Sequence, residues 1–502
     1  MKTRFLELII ASLISSLCGV APVPTAVAQL APDPVASVAG VDGDVQRAMQ
    51  LLHVPGAAIG VIVDGKVILA KGYGVREVSN PGLVDEDTLF GIASMTKSFT
   101  AIALAALVDD GKLEWDKPVI DYLPWFRIYD PIATQLITPR DLLTHRSGLP
   151  RHDFIRTSTY LSREELVHRI RYLEPSATFR QEFQYNNLMY VTAGYVAGSV
   201  AGTTWEDLVK QRIFVPLGMT HSNTSAVELQ QSADYARPHD YVNGKLVVIP
   251  VYDYQKFGIG PNGAINSCVE DMLKYLAFHL SNGTVNGNRV LSARQMEELH
   301  QPSTVTQSED QYALGWFVRY HGGHKMLEHG GSIDGFTSDM ILLPNEKAGI
   351  VVLNNTNSHF PTVIAEDLVD RLLGLKPQDY LGQSLAHDAK SEATEAARKA
   401  EFEAKRIPNT RPTLDLSAYA GTYFHPAYGS IRVEREGADG LVVRFNARNL
   451  SLKHYHYDVF AYGTTSLAQF YLDNAGKVKE MLLPLEPAVK PFVFVKQPNA
   501  LQ

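Results

Sequence analysis

The chemistry of this chain centres on Ser94-Met95-Thr96-Lys97, set where a turn gives way to an apolar helix. Phe99, Ile102, Ala103, Leu104 and Leu107 follow at helical spacing. Positions three apart share a helix face, so Ser94 is predicted at the helix start with the Lys97 amine one turn below its hydroxyl. Backbone N–H groups and the macrodipole at such a position favour negative charge. A hydroxyl, a nearby basic group and donors for an oxyanion are the requirements of acyl transfer. Ser-x-x-Lys also arises by chance, as a helix cap followed by a solvated lysine. Two further elements set this copy apart.

Tyr185-Asn186-Asn187 opens a second apolar helix, expected over 188–200. From a helix entrance, Tyr185 and Asn187 can both face one cleft. A phenol held near cations can act as a general base, and an asparagine can bond a substrate amide at both ends. The structural alternative is a half-buried Tyr185 and a capping Asn187. Later comes His329-Gly330-Gly331-Ser332 on a strand. Glycines there allow another backbone to approach closely, so a substrate could lie along the strand and accept an N–H from Ser332. The similar His321-Gly322-Gly323 reads as a hairpin turn. His321, His324 and His329 lack the cysteines or spaced carboxylates of a metal site; neither metal nor cofactor is expected.

The order Ser-x-x-Lys, Tyr-x-Asn, (Lys/His)-x-Gly resembles the serine β-lactamase and penicillin-binding superfamily, in its class C-like branch of carboxypeptidases, aminopeptidases, esterases and related peptidases. The run from Ile137 to Pro150, Val215-Pro216-Leu217-Gly218-Met219-Thr220 and Leu314-Gly315-Trp316 extend the resemblance over about residues 40–375. It implies Ser94 as acylated nucleophile, Lys97 as the group shaping its proton transfer, Tyr185 as general base and Asn187 as the residue orienting the substrate amide. His329 stands where many members carry lysine, and the N–H groups of Ser94 and Ser332 would form the oxyanion hole. Gly330 replaces the hydroxyl residue that helps bind a substrate carboxylate, and a class A Glu-x-x-Leu-Asn element is absent. Poor penicillinase activity follows.

The elements that must position these residues are readable. A helix is expected over 44–53, and a hairpin of 57–63 and 67–73 turns at Asp64-Gly65. Ser162-Arg163-Glu164-Glu165 is a capping box. A second hairpin, 337–343 with 349–354, ends the domain. Strands at both ends with helices between predict an α/β (α+β) fold: an antiparallel sheet closed by the two termini, flanked by helices, with an inserted helical lobe. The expected hydrolase domain spans 40–376, and a helical linker 377–411, with a solvated helix over 388–405. Residues 412–502 contain short strands and Gly/Asp/Asn turns, predicting a small antiparallel β-barrel. It resembles the lipocalin-like domain of some β-lactamase-related hydrolases. His454 and His456 are expected as surface residues of one strand.

The chain has 502 residues and net charge -8, with no basic footprint for nucleic acid. Residues 1–28 read as a secretory signal: Lys2 and Arg4, an apolar run, then Ala26-Val27-Ala28. Cys18 lies within it, so the mature chain keeps Cys268 alone and forms no internal disulfide. An exported bacterial enzyme, periplasmic or secreted and without a stable membrane span, is expected. Its predicted reaction is cleavage of an amide in a small peptide through a Ser94 acyl-enzyme. An esterase and a slowly turning-over penicillin-binding receptor are the alternatives.

Overall fold

Continuous apolar runs in two hairpins, one near each end of the domain, build the central sheet. The computed structural model describes residues 33–498 apart from 255 and 438. The segment 1–28 expected as a secretory signal, with Cys18, lies outside the described residues. An eight-stranded antiparallel sheet runs, in spatial order, Lys66–Gly74, Gly56–Val63, Ala348–Asn354, Phe336–Leu343, His324–Ile333, Phe317–His321, Gln311–Tyr312 and Thr304–Val305. The first hairpin forms one edge of the sheet and pairs with the last strand of the domain, with Ile59 opposite Val352 and Val61 opposite Ile350. Strand Gly56–Val63 is buried on both faces. Ala57, Ile59, Val61 and Val63 pack with helices Val41–Leu51 and Phe360–Leu373. Ala58 and Ile62 face the opposite core. Gly60 lets helix Val269–Leu280 approach, since a Cβ there would lie 2.7 Å from Val269 Cγ1.

The helical lobe is inserted between these strands and packs around helix Thr96–Asp109, which is buried from Thr96 through Leu107. Its partner, Asn187–Ala201, is capped by the Asn186 side chain and ends at Gly202 with φ +70°. The cap is thus Asn186, not Asn187. The expected capping box is present: Ser162 and Glu165 exchange side-chain and backbone bonds at the start of Arg163–Arg169.

The linker helix is longer than the solvated stretch suggested, running Tyr380–Ala404. Its first turns pack on the domain through Tyr380, Leu381 and Leu385. Beyond it, eight antiparallel strands from Gly421–His425 to Phe492–Lys496 close a barrel. Tyr419 belongs to the short helix Leu416–Tyr419 that leads into it. Strand Asn449–His456 ends in a turn at Tyr457, where φ is +47°, and the next strand starts at Val459. Phe492–Lys496 closes the barrel by pairing with Gly421–His425. The barrel interior is filled by Tyr423, Phe460, Phe470, Met481 and Phe494. His454 and His456 are half-buried, and His454 Nε2 lies 3.0 Å from Tyr457 O. No helix of the described residues is long and apolar enough to cross a membrane.

Candidate active site

A strained turn aims Ser94. Ala93 sits at φ +47°, a left-handed conformation costing a residue with a Cβ about 1–3 kcal/mol. Packing enforces it: Ile92 N–H donates to Ile265 O (3.0 Å), and Ser338 Oγ donates to Ile92 O (2.9 Å). The 3-10 turn Ala93–Met95 leads directly into the buried helix. Lys97 Nζ lies 2.9 Å from Ser94 Oγ and donates to Asn262 O (3.0 Å). Lys97 is fully buried. Burial, reinforced by the Arg156 and Arg151 cations, holds its amine well below the usual lysine range.

Tyr185 completes the centre, its phenol set close to the Ser94 hydroxyl. Lys97 Nζ is 4.8 Å and Arg151 Cζ 5.2 Å from its ring centroid. Burial pushes its phenol up to about 12, against the lowering effect of Ser94 and Arg151. The segment carrying Tyr185 is clamped by the 138–150 run. Thr138 and Asp141 form a capping box, Arg146 and Arg180 both bind the buried Asp141 carboxylate, and Gln184 N–H donates to His145 O (2.7 Å). His145 Nδ1 accepts Asn186 N–H (2.9 Å), and its ring stacks on Tyr185 with centroids 4.4 Å apart. Burial keeps His145 neutral, its titration pushed well below the usual range.

Asn187 is tied to its protein neighbours. It is 3% exposed, and its Nδ2 donates to Asp153 Oδ1 (2.9 Å), while Oδ1 accepts from Asn262 Nδ2 at 3.5 Å. Both amide ends are engaged within the protein. Asp153 in turn binds Arg156 (2.5 Å) and Arg151 (2.7 Å). Burial raises the Asp153 carboxyl, but the two guanidinium groups prevail and hold it below the usual range. Motif reading missed this trio; the charges Arg151, Asp153 and Arg156 gave its only local signal. The barrel braces the same segment: Glu486 accepts His152 N–H (2.7 Å), Ala447 N–H donates to Ser158 O (3.0 Å), and Phe154 packs edge-on to Phe445.

The opposite wall is strand His324–Ile333. Its pairing with Phe317–His321 stops at Glu328, so His329–Ile333 is laddered only to Phe336–Leu343. Gly331 must be glycine: a Cβ would lie 2.3 Å from Ile92 O and 2.5 Å from Ser338 Oγ. Gly330 is unconstrained, its nearest atom Ser338 O at 3.5 Å. His329 is 1% exposed, its Nε2 3.2 Å from Tyr312 Oη and its Nδ1 2.7 Å from Gly330 O. Burial, with the adjacent Lys97, lowers its pKa to about 3. The ring is therefore uncharged near neutrality, unlike the lysine that many members carry at this position. Tyr312 and Asn262 come from the 304–312 and 258–263 loops. The first adds two short strands to the sheet edge, and the second contains the turn Gly260–Asn262.

Ser94, Tyr185, Arg151, His329, Gly330, Gly331 and Ser332 line one cleft of about 1020 Å³. The linker helix supplies part of its rim through Leu385, Asp388 and Glu392. The sequence motifs thus converge on one space, with Lys97 and Asn187 buried beneath it.

Comparison with known proteins agrees with this geometry. The β-lactamase family model matches residues 41–374, and a domain of unknown function, DUF3471, matches 405–495. The chain is 31% identical to the unguisins hydrolase ungD' of Aspergillus campestris over 412 residues, covering 78% of this chain and 76% of that protein. It is 27% identical to protein flp of Staphylococcus aureus over 344 residues, 67% of this chain and 66% of that protein. The octameric penicillin-binding protein homologue of Pyrococcus abyssi superposes with a TM-score of 0.63 at 25% identity, over 91% of this chain and 99% of that one. D-amino acid amidase from Ochrobactrum anthropi shares the fold, with a TM-score of 0.52 at 24% identity over 66% of this chain and 98% of that one. Built around a Ser-x-x-Lys turn facing a glycine strand, the chain belongs to the β-lactamase family, within the serine β-lactamase and penicillin-binding superfamily.

Proposed function

We propose that this protein is an exported serine hydrolase that cleaves an amide bond in a small peptide through a Ser94 acyl-enzyme. The carrying observation is the 2.9 Å contact between Ser94 Oγ and a fully buried Lys97 amine. Burial favours the uncharged amine, which can take the Ser94 proton as Oγ attacks the carbonyl carbon. The N–H groups of Ser94 and Ser332 stabilise the oxyanion. With its titration near 12, Tyr185 is a neutral phenol. It relays a proton from Lys97 to the leaving nitrogen rather than resting as a phenolate. Water then attacks the acyl carbon, giving a proton back along the same path and releasing Ser94. Asn187 acts as a positioning residue, tying the Asp153 carboxylate to the floor of the site. The unpaired side of strand 329–332 supports a peptide substrate, because an extended backbone can add to a strand edge. The relative from Aspergillus campestris is itself named a hydrolase.

Turnover of the full chain on matched peptide p-nitroanilides, p-nitrophenyl esters and nitrocefin tests this reading. Multiple turnover of anilides with slow nitrocefin hydrolysis is expected. Ester turnover without amide cleavage would establish the esterase alternative. A stoichiometric, non-decaying acyl adduct would establish the receptor alternative.

A further inference from the structure

Away from the cleft, three chain segments bring together donors that the catalytic machinery does not use. Asp87 precedes the strand leading to Ser94, His221 follows the 215–220 run, and Cys268 caps helix Val269–Leu280. Their ligand atoms all lie within 4.8 Å of one another. His221 Nδ1 faces Cys268 Sγ at 3.8 Å, Asp87 Oδ1 at 3.9 Å and Glu270 Oε2 at 3.8 Å. The two oxygens are too distant for ordinary N–H···O bonds. All three separations are close to the ligand–ligand edges of a tetrahedral zinc site, about 3.4–3.6 Å from the usual Zn–N, Zn–O and Zn–S bond lengths. Asp87 Oδ1 is buried, and the Asp87 carboxylate faces that of Glu270. Cys268 Sγ forms the floor, while His221 and Asp87 are about half exposed and give an ion access from solvent.

We infer that Asp87, His221 and Cys268 form a structural zinc site, with the neighbouring Glu270 carboxylate turning in from Lys274 as the fourth ligand. Thiolate, imidazole and carboxylate together suit Zn²⁺ rather than Mg²⁺ or Ca²⁺. Coordination replaces the thiol proton, which is released to solvent. The segments are already held in register without the ion: Glu270 N–H donates to Glu86 O (3.1 Å), Asn223 and Asn266 exchange backbone bonds, and Phe90 pairs with Ser267. His221 N–H donates to Asp271 Oδ2 (2.9 Å), orienting its loop. Glu270 also meets Lys274 Nζ at 3.2 Å, and that ammonium must swing toward Asp271, its partner at 3.0 Å. The ion would fasten the strand that enters the Ala93–Met95 turn, outside the reaction itself.

The test uses full-length, tag-free, metal-stripped protein titrated with ZnCl₂ against a chromophoric chelator, and separately with CoCl₂. One Zn²⁺ per chain, a higher Tm with zinc and a thiolate-to-cobalt absorption band are expected. Cys268→Ser should abolish that band, and the surface variant His221→Ala should weaken zinc binding by more than about tenfold. Because Cys268→Ser alters a buried position, His221→Ala and Asp87→Asn, checked by circular dichroism, carry the decision if it misfolds. Absence of stoichiometric binding, a cobalt spectrum lacking the thiolate band, or unchanged affinity in His221→Ala would overturn the assignment.

Discussion

Replacing Gly331 with alanine tests whether the strand's close approach to the nucleophile turn is what sets the site. The added Cβ would stand 2.3 Å from Ile92 O, 2.5 Å from Ser338 Oγ and 3.1 Å from Ala93 Cβ. Carbon–oxygen contacts close at about 3.3 Å, so strand and turn must part by about 1 Å. A displacement of that size typically costs about 10²-fold in rate. Overpacking costs about 1–3 kcal/mol, and loss of the Ser338–Ile92 hydrogen bond adds about 1 kcal/mol. Gly330→Ala is the control, since its Cβ meets only Ser338 O at 3.5 Å. The assay is the second-order rate of fluorophosphonate labelling, with Tm measured in parallel. Gly331→Ala should label about 100-fold more slowly and melt earlier, with Gly330→Ala close to wild type. Equal labelling rates for Gly331→Ala and wild type, or equal damage from both alanines, would refute the packing argument.

Tyr185→Phe should lose about 10²–10⁴-fold in kcat with little change in Tm, the range typical of a lost acid–base group; activity within twofold of wild type would make the phenol structural. Acidification should reduce kcat/KM, because protonating Lys97 removes the proton acceptor, and its lowered pKa moves that loss to lower pH than an ordinary amine would show. His329, with a pKa near 3, should not titrate between about pH 5 and 8, so normalised pH–rate profiles of wild type and His329→Gln should superimpose. Gly330→Thr, for which the backbone leaves room, should speed penicillin acylation by about 10-fold or more, since a hydrogen bond to a charged group contributes about 1.5–3 kcal/mol; unchanged acylation would remove the missing hydroxyl as the cause of poor β-lactam recognition.

The parts legible in the sequence were those with local physical signatures. Helix period placed Lys97 one turn from Ser94, the Asp64-Gly65 turn placed the first hairpin, and Ser162 with Glu165 announced a helix start. Strand alternation and turn residues indicated the barrel, but Tyr457 in a left-handed turn and a cap at Leu416–Tyr419 shifted its boundaries. Groups that reach the site from afar carried no such signature. Asn262 is 165 residues from the lysine it binds, and Tyr312 comes from what reads as an irregular loop. Asn187 has a helix-entrance position compatible with facing a substrate, yet its engagement depends on Asp153, fixed by tertiary packing. His329 illustrates the electrostatic gap: its residue type permits a charge, and only its burial beside Lys97 determines that it stays neutral.

The most direct test of the central claim is intact-mass and peptide-mapping analysis of wild type, Ser94→Ala and Lys97→Met after exposure to a fluorophosphonate. One adduct per wild-type chain, mapped to Ser94, absent from folded Ser94→Ala and slowed by orders of magnitude in Lys97→Met, is the predicted result. An adduct on another residue, or undiminished labelling of Lys97→Met, would contradict it.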